Sequence, residues 1–304
     1  MNVLVTGGTG FVGRAIVAEL HRAGHAIHLL ARDPHSRTVS SLASTYSTTV
    51  RAGNVLDASS LNEACAEMDA VIHLVGIISE VGRQTYEAVH IEGTRNMVEA
   101  CRSASVKRFV QMSALGTRLN AQARYHQSKW AAEEVVRHSG LTWTIFRPSI
   151  VYGPDDGFVN LFARIARRSP VVPIIGNGES KFQPIAIPNV ARAFVAALVE
   201  PRAENETFVL AGPEVFTLNR IVDEILRAMK LKRLKLHLPV TFARLQAAFL
   251  EFLFGRLLHK APPLNRDQIL MLQEDNTGDG SPADELFGLK HGSFQSGIKE
   301  YLQR

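Results

Sequence analysis

A glycine-rich loop close to the N-terminus constrains this chain more than any other feature. Residues 6–13 read TGGTGFVG and follow an apolar stretch, Asn2–Thr6, that is typical of a buried β-strand. A helix is predicted directly after the loop, over residues 11–23, and Gly24 ends it. A strand, a glycine turn and a helix in this order are typical of a dinucleotide site, where the helix N-terminus faces a pyrophosphate.

The residues of this loop have separate predicted roles. Gly7 allows the tight turn, Gly10 lets the backbone approach the pyrophosphate, and Gly13 lets the helix pack closely on the strand. Three neighbours complete the predicted cofactor contacts of the loop: Thr9, Phe11 and Val12. A tight turn that binds nothing is the alternative interpretation.

The rest of the chain predicts an α/β fold, a Rossmann-type doubly wound parallel sheet with a smaller C-terminal substrate lobe. Further strands are expected at residues 25–31, 48–53, 70–75, 107–112 and 142–147, and helices at 84–103 and 123–138. Residues 1–150 form the predicted dinucleotide-binding core, with a return to the sheet near residues 186–211. Residues 151–185 and 212–304 form the predicted lobe.

Composition narrows the function classes. The net charge of +5 is modest and no Lys/Arg block is present, so nucleic acid is not an expected partner. Cys65 and Cys101 lack a paired Cys or His at zinc spacing, so reduced thiols and no metal site are expected. Without a signal peptide or a long apolar run, the chain is expected to be cytoplasmic, with peripheral contact to the inner face of a membrane left open.

The end of the second predicted strand distinguishes NAD from NADP. A carboxylate there binds the ribose hydroxyls of NAD, whereas an arginine suits the 2′-phosphate of NADP. Arg32 stands at this place and Arg14 could assist, so NADP(H) is the preferred cofactor. NAD(H) stays open because Asp33 could turn toward the ribose. Later loops add four predicted contacts to the adenosine half: Asp57, Leu74, Val75 and Gly76.

Tyr125 and Lys129 form a candidate catalytic pair. Their i, i+4 spacing at the start of a predicted helix places both side chains on one face. A free tyrosine has a pKa of about 10, and a neighbouring ammonium and an oxidised nicotinamide would favour its phenolate. Tyr125 is then the predicted acid–base, and Lys129 is predicted to contact the nicotinamide ribose. Two solvated helix residues are the alternative.

The motifs together resemble the extended short-chain dehydrogenases/reductases. The resemblance rests on the glycine loop, on the Tyr/Lys pair, and on the stretches RPSIVYGP at 147–154, SALG at 113–116, EGTRN at 92–96 and PPLNRDQ at 262–268. It is strongest to the atypical subgroup related to the dehydrogenase-like accessory subunit of mitochondrial complex I, whose bacterial relatives are NAD-dependent epimerase/dehydratase-like proteins. Some of that group are tied to ubiquinone. The resemblance implies a Rossmann fold and a cofactor contact at Pro148.

One position departs from the family pattern. Extended enzymes carry a serine or threonine beyond the fifth strand that holds the substrate oxygen, and here that position is Leu115. Ser113 is therefore the candidate catalytic helper, with Thr117 as another substitute. His90 stands where relatives often have asparagine, a difference that the sequence does not explain.

An apolar segment at residues 240–259 predicts a helix with a wide hydrophobic face that includes Phe242, Leu245, Phe249, Phe252 and Leu253. Packing in the core of the lobe, lining an apolar substrate pocket, and contact with a membrane surface or a partner protein are the three interpretations.

Three functions fit the sequence. The first is an NADP(H)-dependent oxidoreductase that acts on a hydrophobic alcohol or carbonyl compound, including a quinone precursor. The second is a catalytically idle NADP(H)-binding scaffold or assembly protein of a respiratory or ubiquinone-biosynthesis complex. The third is a nucleotide-sugar epimerase or dehydratase.

Overall fold

The computed structural model describes residues 1–303. The strands are β1 (Asn2–Thr6), β2 (Ala26–Ala31), β3 (Thr49–Ala52), β4 (Ala70–His73), β5 (Arg108–Met112), β6 (Thr142–Pro148), β7 (Val151–Tyr152), β8 (Val171–Ile175), β9 (Lys181–Phe182), β10 (Ile185–Ala186), β11 (Glu206–Leu210), β12 (Phe216–Thr217) and β13 (Leu234–Leu238). The α-helices are α1 (Phe11–Arg22), α2 (Arg37–Tyr46), α3 (Leu61–Cys65), α4 (Gly93–Ser103), α5 (Arg124–Arg137), α6 (Val159–Arg168), α7 (Ile187–Ala196), α8 (Leu218–Ala228), α9 (Val240–Leu250), α10 (Arg266–Gln273), α11 (Ser281–Phe287) and α12 (Phe294–Leu302).

A seven-stranded parallel sheet forms the centre of the molecule, in the order β11-β6-β5-β4-β1-β2-β3. Its strands are short apolar runs with both faces covered, as parallel sheets require. The strand order reverses between β1 and β4, which leaves a crevice at the carboxyl ends of these two strands. The predicted Rossmann-type fold is confirmed, and β11 is the returning strand that the sequence predicts.

Two helical regions differ from the sequence prediction. The segment predicted as one helix over 84–103 begins as a π-helix, Glu87–Glu92, and continues as α4. Helix α2 has no predicted counterpart, because its sequence RTVSSLASTY contains many Ser and Thr residues, which disfavour helix interiors in isolation. It forms here because Val39 and Leu42 are buried in the folded protein.

The smaller lobe has its own apolar core. The lobe consists of three short pairs of strands, β7–β10, β8–β13 and β9–β12, covered by helices that include α6, α8 and α12. Helix α11 departs from the predicted domain boundary. The ring of Phe287 lies 5.5 Å from that of Phe146 and 5.1 Å from that of Phe208, measured between ring centroids, so α11 covers the main sheet.

The apolar segment at 240–259 forms α9 and a π-helical continuation, Glu251–Leu257. It buries small residues, Ala243 and Ala247, against Ile269 of α10. Its large side chains face outward and are between 55% and 72% exposed: Phe242, Leu245, Phe249 and Phe252. The core-packing interpretation of these side chains is therefore wrong, because the inward face of α9 is the alanine face. Among residues 1–303, no helix is long and apolar enough to cross a bilayer.

Candidate functional site

The loop between β1 and α1 adopts a conformation that its glycines permit. Gly7 has a φ of 73°, in the left-handed region that other residues avoid. Its carbonyl accepts a hydrogen bond of 3.0 Å from the Gly10 amide, which closes the turn. A methyl group at Gly13 would lie 2.2 Å from the Gly7 carbonyl oxygen, so α1 approaches the loop this closely only with glycine there. The loop thus leads directly into a helix N-terminus.

A cleft of about 750 Å³ opens at the carboxyl ends of β1, β2, β3 and β4. Its size is in the range of small-molecule sites, about 300–1,000 Å³. The predicted cofactor residues that line it are Gly7, Thr9, Gly10, Arg32, Leu74, Val75 and Gly76. It is also lined by residues that sequence reasoning missed, among them Ser36, Thr38, Asn54, Leu56 and Ile77. A polar floor beside a helix N-terminus suits the pyrophosphate and ribose groups of a dinucleotide.

The other predicted cofactor residues do not line the cleft. Phe11, Val12 and Gly13 form the first turn of α1 behind the glycine loop. Asp57 caps a short 3₁₀ helix, since its Oδ1 accepts hydrogen bonds from the amide and the hydroxyl of Ser59. Pro148 ends β6, and its carbonyl accepts the Leu115 amide at 2.8 Å.

The end of β2 presents an exposed arginine to the cleft. Arg32 lines the wall, and among residues 1–303 no carboxylate lies within ion-pair distance of it. The Asp33 carboxylate accepts the His35 amide at 3.1 Å, so one of its oxygens is engaged in the local turn. Arg14 also lines the cleft but pairs with Asp155 at 2.9 Å.

A buried polar chain joins β1 to β4 beneath the cleft. Thr6 Oγ1 lies 2.7 Å from His73 Nδ1 and accepts the Leu74 amide at 3.3 Å. His73 Nε2 lies 3.4 Å from the Thr94 hydroxyl. Burial lowers the pKa of His73 to about 3, so the ring is neutral and serves as a hydrogen-bonding spacer. These contacts hold the strand ends from which the glycine loop and the 74–76 loop emerge.

Lys129 is a buried lysine at the edge of the cleft. Its Nζ donates a hydrogen bond of 2.7 Å to the Met112 carbonyl at the end of β5. A methyl group at Gly76 would lie 3.7 Å from the same Nζ, so the ammonium is next to the cleft wall. Burial lowers the pKa of Lys129 to about 8, an effect that the Glu133 carboxylate opposes.

Tyr125 lies one turn before Lys129 on α5, among other aromatic rings. The centroids of the Tyr86, His90 and His126 rings are 5.4–6.0 Å from its own. Burial raises the pKa of Tyr125 to about 12, which is opposite to the lowering expected from a neighbouring ammonium. Burial disfavours the charged phenolate, so the hydroxyl is protonated at neutral pH.

His90 holds the loop after β4 to helix α5. Its Nε2 accepts the Ile77 amide at 3.0 Å, and its Nδ1 lies 2.8 Å from the Ser128 hydroxyl. Ser128 in turn donates to the Tyr125 carbonyl at 2.7 Å. Burial is the main cause that lowers the pKa of His90 to about 2, so it remains a neutral connector. The π-helical turn places the ring here, which gives the unexplained histidine a structural role.

Ser113 and Thr117 form a buried hydroxyl pair beyond β5. Ser113 Oγ donates to Thr117 Oγ1 at 3.3 Å, and both residues are buried. Leu115 lies between them in the sequence, and its buried side chain approaches Gly278. Ser113 and Thr117 are therefore the two hydroxyl residues that flank Leu115, and they bond each other.

Helix α10 positions the N-terminus of α5, a contact that sequence reasoning missed. Asp267 accepts the Tyr125 amide at 2.9 Å and the Arg124 amide at 3.3 Å. Asn265 donates to the Ile78 carbonyl and to the Ser79 hydroxyl at 2.8 and 2.7 Å. The PPLNRDQ motif thus ties the loop after β4 and the Tyr125 helix to the smaller lobe.

Residues 3–211, more than two thirds of the chain, match the model of the NAD dependent epimerase/dehydratase family. The chain belongs to this family. The matched residues contain the glycine loop, the cleft and the Tyr125/Lys129 pair. Helices α8–α12, and with them Asp267, lie beyond the match.

Proteins with different names are similar to this chain. NADH dehydrogenase (ubiquinone) 1 alpha subcomplex subunit 9, mitochondrial, of Arabidopsis thaliana is 28% identical over 278 residues, which cover 89% of this chain and 69% of that protein. The ceramide reductase of Caulobacter vibrioides is 31% identical over 195 residues, 64% of this chain and 60% of the reductase. UDP-glucose 4-epimerase of Thermotoga maritima, solved with UDP-glucose, superposes with a TM-score of 0.76 at 21% identity, covering 100% of this chain and 98% of that chain.

These comparisons confirm the family resemblance that the sequence motifs indicate. The chain is an atypical short-chain dehydrogenase/reductase related to the complex I subunit, with the NAD(P)-binding fold of its family. The epimerase likeness shows the fold alone, because the identity is low. Within that fold, the glycine loop, Arg32 and the 74–76 loop meet in one cleft, and Lys129 Nζ lies next to Gly76 of its lining.

Proposed function

We propose that this chain is an NADP(H)-dependent oxidoreductase that acts on a hydrophobic alcohol or carbonyl compound. The position of Lys129 carries the proposal. Its Nζ is buried next to Gly76, a residue of the cleft, and its helix presents Tyr125 one turn earlier. Burial of an ammonium is unfavourable unless something compensates it, so its presence between the cleft and Tyr125 favours a role in cofactor binding and proton transfer.

The residues of the cleft fit a dinucleotide. The glycine loop and the N-terminus of α1 would hold the pyrophosphate, and Lys129 would hold the nicotinamide ribose. A methyl group at Gly7 or Gly10 would meet neighbouring backbone at 3.2–3.3 Å, so the loop packs this tightly only with glycine at these positions. A bound nicotinamide supplies or accepts the hydride, and the protein contributes orientation and the proton.

Arg32 favours the 2′-phosphate of NADP(H). Its guanidinium is exposed at the cleft wall, and the Ser36 and Thr38 side chains line the same end, where α2 begins. The Asp33 carboxylate, whose negative charge would oppose a phosphate, lines the same cleft, and its Oδ1 accepts the His35 amide. NAD(H) is the alternative cofactor.

Arg32→Ala tests this preference by fluorescence titration with NADPH and NADH. We expect the affinity for NADPH to fall by about tenfold or more, because a charge-assisted contact is lost, while NADH affinity is unchanged. Arg102→Ala, at an exposed position on α4, is the control. Equal losses for both cofactors would contradict the assignment.

Tyr125 is the proposed acid in the reductive direction. With its pKa at about 12 the hydroxyl holds its proton at neutral pH, so it can donate to the oxygen of a carbonyl group as that oxygen gains negative charge. The Ser113 and Thr117 hydroxyls are the proposed hydrogen-bonding groups for that oxygen, in place of the serine that Leu115 replaces.

A hydrophobic substrate is supported by the surroundings of Tyr125. Tyr86, His90 and His126 form an aromatic environment, with the two histidines neutral. The names of two relatives refer to ubiquinone and to ceramide, both with long apolar chains. A nucleotide sugar is a weaker candidate, because only the fold likeness supports it.

Tyr125→Phe tests the proposed reaction with a panel of long-chain carbonyl compounds and quinones. We expect kcat to fall by about a hundredfold or more while NADPH affinity changes little, since general acid catalysis contributes about 10²–10⁴. Tyr46→Phe, on α2 away from the cleft, is the matched control. Unchanged turnover in Tyr125→Phe would remove the tyrosine from the mechanism.

A non-catalytic scaffold is the second candidate. Leu115 at the position of the usual serine favours it, as does the similarity to a subunit of a respiratory complex. A scaffold would bind NADPH, turn over no carbonyl compound in the same panel, and form a stable complex with a partner protein.

A further inference from the structure

The outward face of α9 is apolar, whereas the outward face of an amphipathic helix on a protein surface is usually polar. Its alanines pack inward on α10, while Phe242, Leu245, Phe249 and Phe252 are each more than half exposed. We call these four side chains the apolar surface. They lie within eleven residues of one another, so they form a continuous stripe rather than scattered exposed residues, and such stripes mark contact sites.

The segment of the sequence that contains the apolar surface is strongly basic. Residues 230–260 contain seven Lys or Arg and a single Glu, a net charge of +6, whereas the whole chain has +5. The other residues therefore sum to a net charge of −1. Lys232, Arg244 and Lys260 are exposed, and among residues 1–303 none of them has a carboxylate within ion-pair distance. The one acidic residue, Glu251, is paired with Arg266 at 2.8 Å.

Exposed apolar side chains in a basic segment distinguish between the possible binding partners of this surface. A second copy of the chain would bring two faces of the same positive charge together, which opposes association. A neutral apolar partner would leave the basic residues without a counter-charge. An anionic lipid surface provides an apolar interior for the aromatic side chains and negative headgroups for the lysines and arginines.

We propose that the apolar surface and its basic neighbours dock this protein on the surface of an anionic bilayer. Helix α9 and its π-helical continuation lie in the plane of the interface, with the phenylalanines inserted among the acyl chains. This attachment is peripheral and goes beyond the proposed reaction. It would bring the cofactor domain to the place where substrates with long apolar chains are dissolved.

Vesicle co-sedimentation of the full chain tests the proposal. The vesicles are phosphatidylcholine alone and an equimolar mixture of phosphatidylcholine and phosphatidylglycerol, each at low and high salt. We expect sedimentation with the anionic vesicles at low salt and a marked decrease at high salt, because the attraction is partly electrostatic. Absence of binding to the anionic vesicles overturns the proposal, and equal binding to both vesicle types overturns its electrostatic part.

The variant Phe249→Glu/Phe252→Glu separates the apolar surface from the rest of the protein. We expect its vesicle affinity to fall by about tenfold or more, since two inserted rings are replaced by charges. Val199→Glu/Val215→Glu, which adds the same charge at two other exposed apolar positions, is the matched control and should bind like the wild type. NADPH affinity and thermal unfolding verify that both variants are folded.

Two further outcomes would overturn the lipid assignment. Equal binding by the Phe249→Glu/Phe252→Glu variant and the wild type would place the contact elsewhere. A dimer of the wild type in light scattering that Phe249→Glu/Phe252→Glu dissociates, without vesicle binding, would assign the surface to a second copy. Neither outcome depends on turnover, so the docking proposal and the proposed reaction are tested independently.

Discussion

The Asp267 carboxylate caps helix α5, and Asp267→Ala is expected to weaken the start of that helix. The N-cap residue of α5 is Ala123, whose side chain cannot accept a hydrogen bond. Asp267 supplies the acceptors from α10, because its two oxygens take the Arg124 and Tyr125 amides at 3.3 and 2.9 Å. The same residues begin the helix that carries the candidate acid, so stability and the position of Tyr125 are linked.

The size of the effect follows from two contributions. Loss of a side-chain cap costs about 0.5–2 kcal/mol, and loss of a negative charge at a helix N-terminus costs a further 0.3–1 kcal/mol or so. We therefore expect the free energy of unfolding of Asp267→Ala to decrease by about 1–3 kcal/mol. Asp267→Asn keeps one acceptor oxygen without the charge, and we expect a loss of about 0.5–1 kcal/mol.

Urea unfolding of the full chain measures the stability difference, and amide hydrogen exchange locates it. Exchange should accelerate in peptides that contain Arg124 and Tyr125 and remain unchanged in the glycine loop. Glu285→Ala removes an exposed helical carboxylate on α11 and serves as the control. If Asp267→Ala unfolds like Glu285→Ala and leaves exchange at Arg124 and Tyr125 unaltered, the capping role is refuted. Faster exchange together with unchanged turnover would instead separate capping from catalysis.

Two further predictions concern the cleft. Gly13→Ala should weaken NADPH binding by about tenfold or more, because a methyl group 2.2 Å from the Gly7 carbonyl oxygen must displace the loop. Gly157→Ala, where the added methyl group meets nothing, is the control. Equal titration curves for the two variants would contradict the prediction. Lys129, with its pKa lowered from 10.5 to about 8, binds fewer protons in the folded than in the unfolded state between these pH values. The stability of the wild type should therefore rise by up to about 3 kcal/mol relative to Lys129→Met from pH 8 to pH 10.5, and parallel pH profiles of unfolding would refute the shift.

The parts of the fold that depend on local sequence were predictable. Short apolar strands, the glycine turn and the returning strand β11 follow from hydrophobic pattern and from Gly7 and Gly13, whose constraints act within a few residues. Helix α2 was not predictable in this way, because tertiary burial of Val39 and Leu42 outweighs its weak helix propensity. Ser36 and Thr38 were missed as cleft residues for the same reason.

The parts of the site that depend on distant residues could not be read from the sequence. Asp267 and Tyr125 are 142 residues apart, so no local pattern relates the carboxylate to the helix that it caps. The role of His90 depends on a π-helical turn that brings its ring between Ile77 and Ser128. The pKa of Tyr125 rises rather than falls because the residue is buried, and two of the rings beside it, Tyr86 and His90, come from a separate segment of the chain.

The family match divides the chain into a matched part and a C-terminal part, and these contacts join the two. Residues 3–211 carry the cleft and the Tyr125/Lys129 pair. The following residues provide α10, whose Asp267 holds the Tyr125 helix, and α9, which packs on α10 and exposes the apolar surface. Because α10 contacts both, a single short element holds the inward face of α9 and the N-terminus of α5. The carboxylate that holds the Tyr125 helix therefore lies outside the family match, in the C-terminal part of the chain.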